Sequence, residues 1–390
     1  MLTKADSSVH QSAGYLLWLV RTGRANSRAE LQDLTGLARS TVGHRLDALR
    51  TAGFLRTDGV HASGGGRPPA RLEFNNDHGL VLAADLGATH ARVAVFDLAG
   101  TVLAETAAPL RIADGPDQIL TWTSEQFHAL LSEAGRDAAQ VRGIGVGVPG
   151  PVEFNTGVVH QPPIMPGWDG YPIAEHLRAK WCVPVIVDND ANVMAFGEYV
   201  TQYPDCPSLV LVKIATGIGA GLVLEGAVYR GIDGGAGDIG HVRVDASSEA
   251  RCMCGALGCL AALASGTALA QRLPAAGSRE FVELVRAGNP NAVELARQAG
   301  RLVGEVLSTV VCLVNPQVLV IAGDLAETQF VAGVREVLYQ RALPRATRNL
   351  DVVTSDLDDR AGVLGLRAMV VESVYAPAAV DRELERLAME

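Results

Sequence analysis

A pattern of apolar strand, glycine-containing turn and return strand occurs twice in this 390-residue chain. The first copy has its turn at Asp85-Leu86-Gly87-Ala88-Thr89-His90, and the second has its turn at residues 215–221. Such turns expose backbone N–H groups and a threonine hydroxyl, which suit a phosphate group. The repetition predicts two related lobes that face a cleft. The candidate phosphate or nucleotide residues in the two turns are Asp85, Gly87, Thr89, Thr216 and Gly217.

A third glycine-rich segment, residues 145–150, matches the dinucleotide-binding fingerprint by letter. That fingerprint requires a helix immediately after the glycines. Pro149 and Pro151 prevent such a helix, because proline lacks the N–H that a helix needs. We therefore exclude a Rossmann-type site.

Composition favours a cytoplasmic protein without a membrane span. The longest apolar stretch, residues 302–323, is interrupted by Glu305, Asn315 and Pro316, and the run at residues 15–20 is too short for a signal peptide. The chain has six cysteines, too few for a disulfide scaffold, and three of them lie within eight residues. This spacing suggests a metal site.

The net charge of −10 is unevenly distributed. Residues 1–75 contain ten Lys/Arg and six Asp/Glu, whereas the rest of the chain contains 23 basic and 37 acidic residues. A basic end on an acidic protein is typical of nucleic-acid binding.

The basic end contains three short helical patterns, at residues 12–22, 28–35 and 39–52. Ser27 with Glu30 forms a capping box, and Gly36 and Gly53 end the second and third helices. In the third helix the apolar spacing leaves a polar face that suits a recognition helix in the major groove. The candidate DNA-binding residues on this helix are Arg39, Ser40, Thr41, His44 and Arg45. The alternative is an ordinary solvated face.

Two strand-like segments, residues 54–56 and 71–74, flank a turn-rich insert and predict a β-hairpin wing. Its tip is Gly64-Gly65-Gly66-Arg67-Pro68-Pro69, where Gly65 and Gly66 allow close approach and Arg67 reaches a minor groove. The alternative is a flexible linker. Three helices with a wing favour DNA binding, by a dimer on two half-sites.

Residues 80–375 resemble the ROK family of repressors, open reading frames and sugar kinases. The resemblance rests on an ordered set of motifs: Asp85-Leu86-Gly87-Ala88-Thr89, Gly147-Val148-Pro149-Gly150-Pro151, Pro166-Gly167-Trp168, Asp188-Asn189-Asp190-Ala191-Asn192, Thr216-Gly217-Ile218-Gly219, Gly240-His241 and the cysteine loop 252–259. It implies an α/β, actin-like and hexokinase-like two-lobed fold behind a winged helix-turn-helix, as in the family's repressor branch. We expect domains at 1–76, 77–200 and 201–390, with the C-terminal helix returning to the first lobe.

The cysteine loop and an upstream histidine supply three thiolates and one imidazole, which is the usual ligand set of structural Zn²⁺. The candidate ligands are His241, Cys252, Cys254 and Cys259. A closed site of this kind leaves no position for an activated water. The alternative is three free buried thiols. In the family this loop lies beside the sugar pocket, so we expect the ion to shape that pocket.

The resemblance makes Asp190 the catalytic base of a sugar kinase and Asn189 a residue that orients the sugar. The sugar-binding residues it implies are Gly150, Asn189, Asp190, Asp238 and His241. The chain departs from the kinase pattern at four positions: Asp238 replaces a longer Glu, Ala261 replaces a second Glu, His90 stands at a frequent Lys, and Ala322-Gly323-Asp324 replaces a triple-glycine turn near the nucleotide, where Gly323 remains. These changes argue against ATP and Mg²⁺ binding.

The leading hypothesis is a sugar-responsive repressor that binds operator DNA as a homodimer or homotetramer and takes a sugar or sugar phosphate as effector. The alternatives are an ATP-dependent sugar kinase with an accessory DNA-binding end, and a regulator whose vestigial pocket is purely structural.

Overall fold

A computed structural model of the protein describes residues 10–57 and 71–389. Its N-terminal module has helices α1 (Ala13–Arg21), α2 (Arg28–Thr35) and α3 (Arg39–Thr51), which confirms the three predicted helices. The Ser27 hydroxyl caps α2 by accepting from the Glu30 N–H at 3.3 Å. The Glu30 carboxylate does not accept from the N–H of Ser27, as in a standard capping box, but from the N–H of the preceding residue, Asn26, at 2.6 Å.

The hairpin predicted after α3 is present in its two strands. Strand β1 (Leu55–Thr57) pairs antiparallel with β2 (Leu72–Phe74). The predicted tip, with Gly65, Gly66 and Arg67, lies outside the described residues.

Each of the two lobes is built on one five-stranded mixed sheet. The first has the order β5-β4-β3-β6-β9, and the second has the order β12-β11-β10-β13-β14. In each sheet an antiparallel pair around a glycine turn continues into parallel strands. The strands are β3 (Leu80–Leu86), β4 (His90–Asp97), β5 (Val102–Pro109), β6 (Val141–Val148), β9 (Val185–Asn189), β10 (Ser208–Ile214), β11 (Ile218–Leu224), β12 (Ala227–Val228), β13 (Val318–Ala322) and β14 (Asp351–Thr354), with the small pair β7 (Val152–Glu153) and β8 (Val158–Val159) beside the first sheet.

Helices cover the sheets and connect the parallel strands. They are α4 (Pro116–Glu133), α5 (Ile173–Trp181), α6 (Asp190–Gln202), α7 (Leu260–Ala264), α8 (Gly266–Ala270), α9 (Ser278–Arg286), α10 (Pro290–Val314), α11 (Thr328–Arg341), α12 (Pro344–Thr347), α13 (Ala361–Val374) and α14 (Pro377–Met389). Among the described residues no single helix is long and apolar enough to cross a membrane; the bent pair 358–374 and 377–389 passes that test only when taken together.

The duplicated hairpins are confirmed, but the second turn is shorter than predicted. It contains only residues 215–217, because β11 already begins at Ile218. Gly221 therefore lies inside a strand, where a side chain would overlap the carbonyl oxygen of Ala191 on α6. Gly221 thus serves helix–sheet packing rather than an open loop.

Helix α13 packs against α6 at glycine positions, and α6 in turn packs on β10 and β11 of the second sheet. A methyl group at Gly365 would overlap the Val193 carbonyl on α6, and one at Gly197 of α6 would overlap the Ala361 carbonyl. The same helix packs on β3 and β6 of the first sheet. One continuous apolar core includes these inter-lobe helices together with Leu16 and Leu46 of the N-terminal module.

We predict that Gly365→Ala lowers the free energy of unfolding by about 2 kcal/mol, because the added methyl group meets backbone rather than a movable side chain. The control is Gly43→Ala in α3, where no atom lies within 4 Å of the new methyl group. This control should raise stability by about 0.5 kcal/mol through helix propensity. Urea denaturation of both variants measures the difference, and equal effects would contradict the close helix contact.

Candidate functional site

A cavity between the two lobes brings together all five residues that the sequence predicted to bind sugar. They come from three separate segments of the chain: Gly150, Asn189 with Asp190, and Asp238 with His241. The same cavity is lined by Thr216 and Gly217 of the second glycine turn and by Lys213.

Asn189 and Asp190 are positioned by the junction between β9 and α6. The Asn189 side chain caps the helix, because its Oδ1 accepts from the Ala191 N–H at 2.9 Å. Its Nδ2 donates to the Gly150 carbonyl at 3.1 Å. Asp190 is the first residue of α6 and only 8% exposed. The capped helix start thus fixes one carboxylate at the cavity wall.

Lys213, which the sequence analysis missed, contacts this carboxylate directly. Its Nζ lies 2.6 Å from Asp190 Oδ2, and the two side chains are 15% and 11% exposed. The available signal was a single charged residue in an otherwise apolar strand, Leu-Val-Leu-Val-Lys-Ile. A buried cation needs a partner, and here that partner is the residue predicted to be the catalytic base.

The charges around Lys213 shift the pKa values of its neighbours. Burial raises the pKa of Asp85 to about 6, and Lys213 is the main group that opposes this shift. Burial opposes the charge on Lys213, but Asp190 and Asp85 more than offset it, so its pKa is raised. Burial and then Lys213 lower the pKa of His90.

The predicted phosphate residues are divided among neighbouring parts of the cleft. Asp85 and Gly323 line a recess next to this cavity between the lobes, and Thr89 and Thr216 line another. The Gly87 N–H donates to the His90 carbonyl at 2.8 Å within the turn, so that donor is already used. The Asp85 recess has an acidic lining: Asp85, Asp324, Glu327, Asp358 and Asp359.

The four predicted metal ligands form a compact cluster. One donor atom from each of His241, Cys252, Cys254 and Cys259 lies within 4.8 Å of the others. His241 Nδ1 faces the Cys252 sulfur at 3.5 Å, and the sulfurs of Cys254 and Cys259 are 3.9 Å apart. This set of donors fits a tetrahedral Zn²⁺ ion.

The protein environment shifts the pKa values of these thiols in different directions. Backbone hydrogen bonding, chiefly from Ala256, lowers the pKa of Cys254, whereas burial raises the pKa of Cys259 to about 12. A divalent cation would compensate the charge of all three thiolates. Because His241 also lines the cavity between the lobes, the metal cluster and that cavity share a side chain.

The third helix of the N-terminal module presents the polar face that the sequence predicted. Val42, Leu46 and Leu49 are buried against the module. The predicted DNA-binding residues divide by exposure: Arg39, Ser40 and His44 are exposed, whereas Thr41 and Arg45 are half-buried. The helix cap, Ala38, makes no side-chain hydrogen bond, so the first N–H groups of α3 are open to an anion.

The N-terminal module is attached to the C-terminal helices by several direct contacts. Arg21 makes two hydrogen bonds of 2.9 Å to Glu372 of α13. The Gly14 N–H donates to Asp381 of α14 at 2.8 Å. Tyr375, between these helices, is 1% exposed, and its hydroxyl is 3.0 Å from His78 Nδ1.

Comparison with known proteins gives a consistent result. The model of the ROK family matches residues 81–373. The xylose repressor of Caldicellulosiruptor bescii is 29% identical over 372 residues, covering 90% of this chain and 92% of that relative. The DNA-binding transcriptional dual regulator NagC of Escherichia coli is 29% identical over 380 residues, covering 92% of each chain.

Comparison with solved structures also finds ROK proteins. A ROK family transcriptional regulator, a homolog of the E. coli MLC protein, aligns with a TM-score of 0.82 and 25% identity over 97% of this chain and 99% of its own. The ROK glucokinase of Streptomyces griseus, solved with glucose and AMPPNP, aligns with a TM-score of 0.63 and 25% identity over 75% of this chain and 99% of its own. The chain therefore belongs to the ROK family, and its two-lobed, sugar-kinase-like fold follows a winged helix-turn-helix module.

Proposed function

We propose that this protein is a sugar-responsive transcription regulator, most simply a repressor, that binds operator DNA through its N-terminal module. The single observation that carries the proposal is the length of the similarity. The regulators match about nine-tenths of the chain or more, including the N-terminal helices, whereas the glucokinase structure covers only 75% of it. Such a regulator acts in the cytoplasm, where the DNA is.

The DNA interface in this proposal is the exposed face of α3 together with the wing. Ser40 and Thr41 at the start of the helix are small, so the backbone can approach the base edges closely. Arg39 contacts a phosphate, and His44 and Arg45 read bases in the major groove. Gly65, Gly66 and Arg67 of the wing tip follow an adjacent minor groove. Two such modules in a homodimer or homotetramer bind paired half-sites.

The effector in this proposal is a sugar bound in the cavity between the lobes. Asp190 and Asp238 accept hydrogen bonds from its hydroxyls, and Gly150, Asn189 and His241 complete the wall. Where the family's kinases have a second Glu this chain has Ala261, and an unpaired buried hydroxyl costs about 1–3 kcal/mol, so we expect an effector that does not need this acceptor. The first sugars to test are xylose, named in the xylose repressor relative, and N-acetylglucosamine, named in the N-acetylglucosamine repressor of Escherichia coli O157:H7, which is also 29% identical to this chain.

A Zn²⁺ ion held by His241, Cys252, Cys254 and Cys259 has an architectural role in this proposal. With Nδ1 of His241 directed to the metal, Nε2 is left for a partner in the sugar cavity. The ion thereby fixes the orientation of a sugar-binding side chain.

The signal passes from the cleft to the DNA module along α13 and α14. Gly362 near the start of α13 abuts the Asp85 carboxylate, and Glu372 near its end pairs with Arg21 of α1. Lobe closure on a sugar therefore moves a helix that contacts the DNA module. A change in operator affinity follows from this displacement.

The function is tested by recovering genomic DNA fragments bound to the purified protein and measuring their affinity with and without D-xylose or N-acetylglucosamine. We expect one or a few fragments to bind at least a hundredfold more tightly than bulk DNA, and one of the sugars to change that affinity. Binding to all fragments alike, unaffected by any sugar, would contradict the proposal.

For the DNA surface we predict that Arg45→Ala weakens binding to such a fragment by roughly tenfold or more, because a bidentate arginine–guanine contact contributes about 1–3 kcal/mol. Arg39→Ala should weaken all sequences alike and reduce the slope of log affinity against log salt by about 1. The control is Arg345→Ala, an exposed arginine of the second lobe on α12. Fluorescence anisotropy at several salt concentrations measures both effects. An unchanged affinity in Arg45→Ala would contradict the placement of α3 in the groove.

For the metal cluster we predict about one Zn²⁺ per chain, lost in Cys254→Ser, because three remaining donors leave a tetrahedral site incomplete. Loss of the ion should lower the melting temperature and weaken sugar binding, as followed by elemental analysis, thermal unfolding and calorimetry. Cys312→Ser is the matched control, since Cys312 is also exposed but lies outside the cluster. Full zinc content in Cys254→Ser would refute the ligand assignment.

A further inference from the structure

The nucleotide side of the cleft does not fit a magnesium nucleotide. The recess beside Asp85 is bordered by five carboxylates: Asp85, Asp324, Glu327, Asp358 and Asp359. Two of these carboxylates are paired with arginines, Glu327 with Arg286 and Asp359 with Arg92, each at 2.6 Å. Among the described residues Asp85, Asp324 and Asp358 have no arginine partner. Three such side chains repel the phosphates of a nucleotide unless a cation is bound among them.

The chain itself supplies a cation to this recess, the ammonium group of Lys213. Lys213 extends from the end of β10 and places its ammonium nitrogen 2.6 Å from Asp190 Oδ2. The charges that act on it most strongly are Asp190, Asp85 and Asp324, which lie on three different segments around it. His90, on β4, also lies in its field.

Lys213 is paired with one of the two carboxylates that could hold a metal in this corner, Asp190, and lies in the field of the other, Asp85. Asp85 Oδ1 is buried and has no hydrogen-bond partner among the described residues, as expected of a carboxylate that would otherwise hold a cation or its water. The remaining ligand of such an ion would be Asp190, whose Oδ2 is taken by the lysine. A divalent ion that took Asp190 Oδ2 as a ligand would meet the Lys213 ammonium group, which lies 2.6 Å from that oxygen.

We propose that the Lys213 ammonium replaces the divalent cation at the Asp85–Asp190 corner, so that the cleft binds a sugar but excludes a metal nucleotide. The other oxygen of Asp190 remains able to accept a hydrogen bond from a sugar hydroxyl. Lys213 is thus a specificity-determining residue, because it leaves the kinase-like cleft able to bind a sugar but not a metal nucleotide. The sugar part of this inference rests on the proposed function, whereas the exclusion of a metal is argued from the charges of the cleft and can be tested without sugar or DNA.

The test is Mn²⁺ binding, followed by electron paramagnetic resonance on the full-length protein loaded with Zn²⁺ and without sugar or DNA. We expect the wild type to show no Mn²⁺ site in the cleft. Lys213→Met should gain a site at least tenfold tighter than any wild-type binding, because its carboxylates lose their internal counter-charge. Adding Asp85→Asn to Lys213→Met should abolish the gained site. Lys213→Arg, which keeps the charge, should behave like the wild type.

Two outcomes would overturn the proposal. One is a wild-type protein that binds Mn²⁺ in the cleft as tightly as Lys213→Met does. The other is a folded Lys213→Met protein that gains no Mn²⁺ site. Circular dichroism and urea denaturation establish folding, and Lys213→Thr, with a smaller polar side chain, repeats the test if the methionine variant does not fold.

Discussion

The close contact between helices α13 and α6 is the constraint on which the rest of the structure depends. It exists because glycines stand at the contact points: Gly365 faces the Val193 carbonyl, and Gly197 faces the Ala361 carbonyl. Because the helices touch backbone to backbone, they cannot separate or slide without losing packing that extends into both sheets. The start of α6 carries Asp190, and the start of α13 abuts Asp85 through Gly362, so the helix pair also fixes the two carboxylates of the cleft.

The same helix pair explains how a ligand between the lobes can act on DNA at the other end of the protein. Apolar side chains of α1, α3, α6 and α13 belong to one continuous core. Polar contacts reinforce the junction, with Arg21 bound to Glu372 and the Tyr375 hydroxyl near His78. A packed connection of this kind has discrete arrangements rather than continuous flexibility, which is what a two-state regulator needs. In the proposed function coupling through this junction is reciprocal, so DNA is expected to change the affinity for the sugar as well.

Local signals in the sequence predicted much of this arrangement. Cap residues such as Ser27 and Gly36 correctly predicted where a helix begins and ends. The two glycine turns predicted the two related sheets. The cysteine spacing gave a cluster whose four donors do lie together. The ion pair between Lys213 and Asp190 was not predictable in the same way, because it joins strand β10 to the start of helix α6 and depends on how the two elements pack. The second turn was predicted too long, since a glycine needed for helix packing looks the same in sequence as one needed for a loop.

The most direct measurement of the central claim is hydrogen–deuterium exchange of the full-length protein with and without a saturating sugar that calorimetry shows to bind. If the cleft and the DNA module are joined through α13, exchange should change in α6 and also in peptides covering Ala13–Arg21 and Pro377–Met389, which have no contact with the cavity. A change restricted to the cavity wall, with α1 and α14 exchanging as before, would contradict the account.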